Sequence, residues 1–183
     1  MTAGVGRPVT ASMKIRIGID PGKQGYVTIW KEGEGFSFLS MPLIGKEVDL
    51  HTLAKQFVDA IPATDDIHCV LEDVHSIYGS SSKATFAFGG IAKAMEMMLI
   101  CFEIPYTKVA PKAWQKQMWS GVALQKKPSS TGKTMVNDTK SMSEVAARRL
   151  FPTIDLRDNP RCKKAHDGKI DSLLMCEYCK RNF

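Results

Sequence analysis

From Lys14 to Ile19 apolar and polar positions alternate, with Ile15, Ile17 and Ile19 on one side, the period-two signature of a strand. The run stops at Asp20-Pro21-Gly22, where Pro presets one backbone angle and Gly tolerates the turn. Tyr26 to Trp30 and Phe36 to Ser40 continue the alternation, so the chain opens on antiparallel hairpins rather than on a strand–helix–strand unit. The period then changes. Asp49 is placed to cap a helix bearing Leu50, Leu53, Phe57, Val58 and Ile61 on one side and ending at Pro62. His68 to Glu72 reads as a short apolar strand running into Glu72-Asp73. The serines Ser80 to Ser82 offer caps for a helix from about Lys83 to Phe102, with Phe86, Gly90, Ala94 and Met97 or Met98 along its stripe. Tyr106 to Val109 is a further strand, and Pro111 suits the first turn of a helix through Trp119. Helices from about Ser141 to Leu150 and from about Gly168 to Arg181 close the chain, joined by the polar stretch Pro152 to Ala165.

These elements predict one α/β domain over residues 13–183, with residues 1–12 as a flexible leader and residues 121–139, rich in Lys, Ser, Thr and Gly, as a mobile loop. The chain has 183 residues, of which 44% are hydrophobic, enough for one core and no second lobe. That length excludes the actin-like nucleotide-binding enzymes, which also have a strand ending in Asp-Pro-Gly but need two lobes. Lys and Arg number 25 against 19 Asp and Glu, a net charge of +6, which suits a polyanionic partner. An odd count of 5 cysteines does not close a disulfide framework. With no secretory pattern at the start and no apolar run of membrane-spanning length, the expectation is a soluble, intracellular, cytoplasmic protein with reduced thiols and no membrane contact.

Four acids fall where elements end. Asp20 closes the first strand and Glu72 a later one, while Asp167 and Asp171 begin the last helix. Each has a plainer role open to it: Asp20 as a turn former, Glu72 as a solvated strand end, Asp167 as a helix cap. Asp171, on the edge of the apolar face in GKIDSLLM, is harder to account for as a surface charge. Converging carboxylates are what two divalent ions need for a phosphodiester displacement, because Mg²⁺ takes hard oxygen ligands. A competing metal set is Cys162-x3-His166 with Cys176-x2-Cys179, whose spacing is legal for structural zinc.

The opening IGIDPGKQG, the internal LEDVHS followed by SSSKATFAFGG, the block IPYTKVAPKAW and the closing HDGKIDSLLMCEYCKR together resemble the RuvC-like Holliday junction resolvases. The likeness spans Met13 to Arg181 and is greatest to the compact versions carried by bacteriophages. It implies a ribonuclease H-like fold, a mixed five-stranded sheet flanked by helices. It also implies a homodimer that nicks two strands of a four-way DNA junction with Mg²⁺ or Mn²⁺, in the cytoplasm of a host if the chain is phage-encoded. By resemblance Asp20, Glu72 and Asp171 are the metal-binding acids. The family often has a further acid or histidine three residues before the last of these, where this chain has Gly168. Asp167, with His166 as runner-up, is the candidate to complete the site.

The resemblance further implies functional lysines in the regions of Lys112, Lys116 and Lys140, with Lys116 and Lys140 catalytic. The basic residues Lys126, Lys127 and Lys133 would hold the DNA backbone. Among the aromatics, Phe86 and Phe88 are expected in the core and Tyr78, in a Gly/Ser-rich loop, as a wedge against opened base pairs. Two other readings share these residues: a nuclease of RNA–DNA hybrids or other branched DNA, and a junction-binding protein whose acids no longer catalyse.

Overall fold

The computed structural model describes residues 13–64, 66–73, 82–129 and 131–183. The expected leader, Tyr78 and the capping serines Ser80 and Ser81 lie outside the described residues. The elements in chain order are β1 (Ile15–Ile19), β2 (Tyr26–Lys31), β3 (Gly35–Ser40), the two-residue strands β4 (Leu43–Ile44) and β5 (Glu47–Val48), α1 (Leu50–Ala60) and β6 (Ile67–Glu72). They continue with α2 (Ser82–Cys101), β7 (Tyr106–Val109), α3 (Pro111–Met118), β8 (Lys126–Pro128), β9 (Met135–Asn137), α4 (Thr139–Leu150) and α5 (Asp167–Asn182). No helix among the described residues is long and apolar enough to cross a membrane.

Five strands form one mixed sheet in the order β3-β2-β1-β6-β7. β1–β2 and β2–β3 pair antiparallel, whereas β1–β6 and β6–β7 pair parallel. The antiparallel half follows from short turns after Asp20 and Lys31; the parallel half needs α1 and α2 as crossovers. All five residues of the central strand β1 are buried, because helices cover both faces of the sheet. Ile15, Ile17 and Ile19 pack with Leu53 and Phe57 of α1 and Met95 and Leu99 of α2. On the opposite face Val70 packs with Trp114 of α3, Ala146 and Ala147 of α4, and Ile170, Leu173 and Leu174 of α5.

The even positions of β1 explain how α5 sits there. A Cβ on Gly18 would lie 2.3 Å from the Cys176 nitrogen and 2.4 Å from the Ser172 carbonyl oxygen, so α5 rests directly on the strand's backbone. Beside it, Arg16 is buried and neutralised by Asp66 at 2.7 Å, and its guanidinium also donates to the Phe183 carbonyl at 3.0 Å. A buried guanidinium left without such partners is strongly destabilising.

Three expectations change. On α1, Asp49 caps the helix by accepting from the His51 and Thr52 N–H groups, but Leu50 and Val58 are exposed and Leu53, Phe57 and Ile61 alone face inward. On α2, Phe86 is 85% exposed rather than in the core, and the inward stripe runs through Met95 and Leu99. Phe88 is half-buried beside the Gly22 turn. Finally, the polar stretch 121–139 is not structureless: β8 and β9 pair antiparallel within it, and Asp138 holds the N-cap position of α4, which begins two residues earlier than the sequence pattern suggests.

Candidate active site

The parallel register of β1 and β6 pairs Ile19 with Leu71, so the next residues, Asp20 and Glu72, leave neighbouring strands side by side at their C-terminal ends. Adjacent strands run about 4.8 Å apart, which makes the two carboxylates neighbours by construction. α5 crosses above them. Its seat on Gly18, through Ser172, sets Asp171 within electrostatic reach of both acids.

Each carboxylate is held. Asp20 accepts from the Gly22 N–H at 3.1 Å, the Asx turn that the Asp-Pro-Gly sequence favours. Glu72 accepts from the Trp114 indole N–H at 3.1 Å. Asp171 accepts from the Ser143 hydroxyl, whose oxygen in turn accepts from the Trp119 indole at 3.3 Å. Neither Trp114 nor Ser143 is foreseen from sequence; the ending of VAPKAW on a tryptophan in a short polar helix is the one available signal for the first.

Three acids packed together without a cation resist ionising. Burial pushes Glu72 up to about 7, helped by the charges of Asp20 and Asp171 and opposed by the Trp114 hydrogen bond. Burial likewise pushes Asp171 up to about 7, with Asp20 and Asp167 adding to the effect and Ser143 and Lys140 opposing it. Asp20 is raised by burial against the lowering effects of the Gly22 N–H and His166. Among the described residues, no three Asp, Glu, His or Cys side chains close around one point as metal ligands do. The donor set nonetheless fits a hard divalent ion: three carboxylates on rigid elements, each oriented by a neighbour and each destabilised until positive charge arrives.

These shifts make a stability prediction. A carboxyl whose folded pKa is raised stabilises the fold at low pH, and that contribution is lost as pH rises from about 4, the unfolded value, through about 7. In EDTA the Tm is expected to fall between pH 5 and pH 8, and Mg²⁺ is expected to restore it at pH 8 but not at pH 5. Thermal melts across that range check it; a Tm indifferent to Mg²⁺ at pH 8 would remove the metal assignment.

Asp20 opens into a cleft of about 460 Å³ lined by Gly22, Gln24, Gly25, Lys140, His166, Asp167 and Gly168. Asp167 is the first residue of α5 and not its cap, since His166 occupies that position. Its carboxylate is ion-paired with Lys140. The His166 ring packs edge-on against Tyr26 at 5.1 Å, and its Nδ1 is buried without a hydrogen-bond partner. The departure at position 168 has a packing cause. A Cβ there would lie 2.3 Å from the Gln24 carbonyl oxygen and 3.1 Å from Asp20 Oδ2, so any side chain would collide with the turn that carries Asp20.

The other candidates spread out. Lys112 is exposed on the first turn of α3. Lys116 is not brought to the acids: because Trp114 and Met118 face the core, it turns instead toward Tyr178 and Arg181 at the far end of α5. Lys126 and Lys133 are exposed on the β8–β9 hairpin, and Lys127 is paired with Asp138 at 3.0 Å. The zinc set does not assemble. Cys176 and Cys179 face the sheet and donate to the carbonyls of Arg16 at 3.2 Å and His68 at 3.3 Å. Burial raises both thiols, Cys179 to about 12, far from the thiolate that zinc requires. They also lie about 15–20 Å along α5 from His166.

Sheet order, helices on both faces and acids at the ends of the two central parallel strands define a ribonuclease H-like α/β fold. Among solved structures the chain is similar to Thermus thermophilus RuvC in complex with Holliday junction substrate, at 13% identity over 88% of this chain and 90% of that one, with a TM-score of 0.51. It is equally similar to a second Thermus thermophilus RuvC structure, at 14% identity over 91% of this chain and 96% of that one, again with a TM-score of 0.51. No protein-family model matches the chain, and no curated protein sequence does. At such identities the likeness is one of fold.

Proposed function

We propose that the protein is a divalent-metal-dependent endonuclease that resolves four-way DNA junctions by paired nicks, of the compact bacteriophage type that its motifs resemble. The observation that carries this reading is the placement of Asp20 and Glu72 at the adjacent ends of the parallel strands β1 and β6, with Asp171 set near them by the seat of α5 on Gly18. The fold supports it, as does the net charge of +6, which suits a polyanion.

Asp20, Glu72 and Asp171 would hold Mg²⁺ or Mn²⁺, two ions per site with Asp167 or His166 completing the set, and the ions would supply Lewis acidity to the phosphodiester and to the attacking water. The Gly22 N–H, Trp114 and Ser143 each orient one of the three acids, and the carboxylates would close the remaining distance around the ion on binding. Lys140, at the cleft beside Asp20, is placed to meet a phosphate oxygen once DNA competes for it with Asp167. In the reaction water attacks phosphorus, the bond to the 3′ oxygen breaks and that oxygen takes up a proton, leaving 5′-phosphate and 3′-hydroxyl ends. A two-fold homodimer would set one such site on each of two opposed strands.

The test is cleavage of a labelled immobile four-way junction with Mg²⁺ or Mn²⁺, beside linear duplex, flap and RNA–DNA hybrid. Symmetric paired nicks confined to the junction are expected. Preferential cutting of flap or hybrid would replace the substrate and leave the metal site, and binding without cutting under either ion would make this a junction-binding protein.

A further inference from the structure

We infer that the β8–β9 hairpin is a DNA-engaging arm that grips phosphates with Lys126 and Lys133 and presses Met135 into a groove or between base pairs at the branch point. This rests on the reading of the protein as a nuclease of branched DNA.

None of the described hairpin residues belongs to either core cluster. All three residues of β9 are exposed, Met135 at 58% and Val136 at 41%, and Leu124 at the foot of the hairpin is exposed at 59%. Large apolar side chains on a two-stranded ribbon in water are costly unless a partner covers them. The register sorts the two faces. Lys127 opposes Val136 on one face, where Lys127 is tied to Asp138 and so is not free to meet a phosphate. Lys126 opposes Asn137 and Pro128 opposes Met135, so these four share the other face, where the methionine lies across from the proline and diagonal to the lysine.

Charge names the occupant. Lys126 and Lys133 are both exposed, and Asp138, the one acid in residues 121–139, is already neutralised by Lys127. A surface that is cationic and apolar at once fits nucleic acid. Lysines meet the backbone, and an unbranched, polarisable side chain wedges at a base step, most readily where stacking is already broken. Position agrees as well. Asp138 holds the N-cap position of α4, and Lys140, two residues on, lines the cleft that Asp20 opens into, so DNA on the hairpin would be carried to the acids.

The test uses the Asp20→Asn protein, so that binding is measured apart from cutting, with four-way junction and linear duplex titrated over a range of salt. Lys126→Ala with Lys133→Ala is expected to weaken binding to both DNAs and to lower the salt dependence of log K by about 2. Met135→Ser is expected to weaken junction binding about tenfold with an unchanged salt slope. It should also abolish the brightening of 2-aminopurine at the branch point that the parent produces. No variant should shift the Tm, because these side chains touch no core. An unchanged salt slope in the lysine pair, or unchanged 2-aminopurine brightening in Met135→Ser, overturns the inference while the nuclease reading stands. If the Asp20→Asn parent binds no branched DNA at all, the nuclease reading falls and the arm falls with it.

Discussion

Asp20→Asn is expected to lower junction cleavage by more than about 10³-fold while making the metal-free protein more stable at pH 8. Both halves follow from one arrangement. Asp20 is the acid common to the site: it lies beside Glu72 across the parallel pair, its charge helps to raise Asp171, and it opens into the cleft. An amide keeps the shape and can still accept from the Gly22 N–H through its oxygen, so the turn should survive. What disappears is one carboxyl whose ionisation burial opposes and whose charge raises Glu72 and Asp171.

Removing that ionisable group is expected to stabilise the metal-free fold at pH 8, read as a rise in Tm of a few degrees, on the order of 2–4 °C per kcal/mol for a domain of this size. Lost ion affinity should also flatten the response of Tm to Mg²⁺. Matched melts in EDTA and Mg²⁺, with cleavage assayed beside them, read all three effects. A variant that lost activity and also lost stability would mean that Asp20 serves the fold, and cleavage at the normal rate would mean that the site lies elsewhere.

Strands and helix ends were legible because their signals are local. Alternation marked β1 to β3, Asp49 marked the start of α1, and Pro111 the start of α3. The acids were legible as candidates because each closes or opens an element. What holds them was not, since Trp114 reaches Glu72 across 42 residues and the two are joined only by the β6–β7 pairing. The inward stripe of α2 was misread for a different reason. FAFGGIAKAMEMMLI carries only Lys93 and Glu96 as charges, so periodicity does not separate a stripe through Phe86 and Met97 or Met98 from one through Met95 and Leu99; Met98 does pack on the core, while Phe86 and Met97 are exposed. The hairpin in residues 121–139 escaped notice because its strands are three residues each and carry no apolar face toward the core. Lys116 looked suitable by its neighbourhood in sequence, and only the burial of Trp114 and Met118 shows which way it turns.

Gly18→Ala is expected to be strongly destabilising for a single added methyl, costing about 3–5 kcal/mol. The added Cβ would meet the Cys176 nitrogen at 2.3 Å, the Ser172 oxygen at 2.4 Å and the Met175 carbonyl carbon at 2.8 Å. All three are backbone atoms of α5, so no rotamer change can relieve the contact and the helix itself must lift by about 1 Å or more. Ordinary overpacking costs about 1–3 kcal/mol because side chains give way; here that route is closed. Lifting α5 would open its packing with Val70 and Trp114, and would also carry Asp171 away from Asp20 and Glu72. The substitution should therefore reduce both the urea midpoint and the Mg²⁺-dependent rise in Tm. Gly90→Ala is the matched control, since its Cβ would meet nothing within 4 Å, and a helical Gly-to-Ala change in open space is expected to stabilise by up to about 1 kcal/mol. Equal urea midpoints for the two variants would show that α5 does not rest on β1, and the placement of Asp171 over the two strand-end acids would go with it.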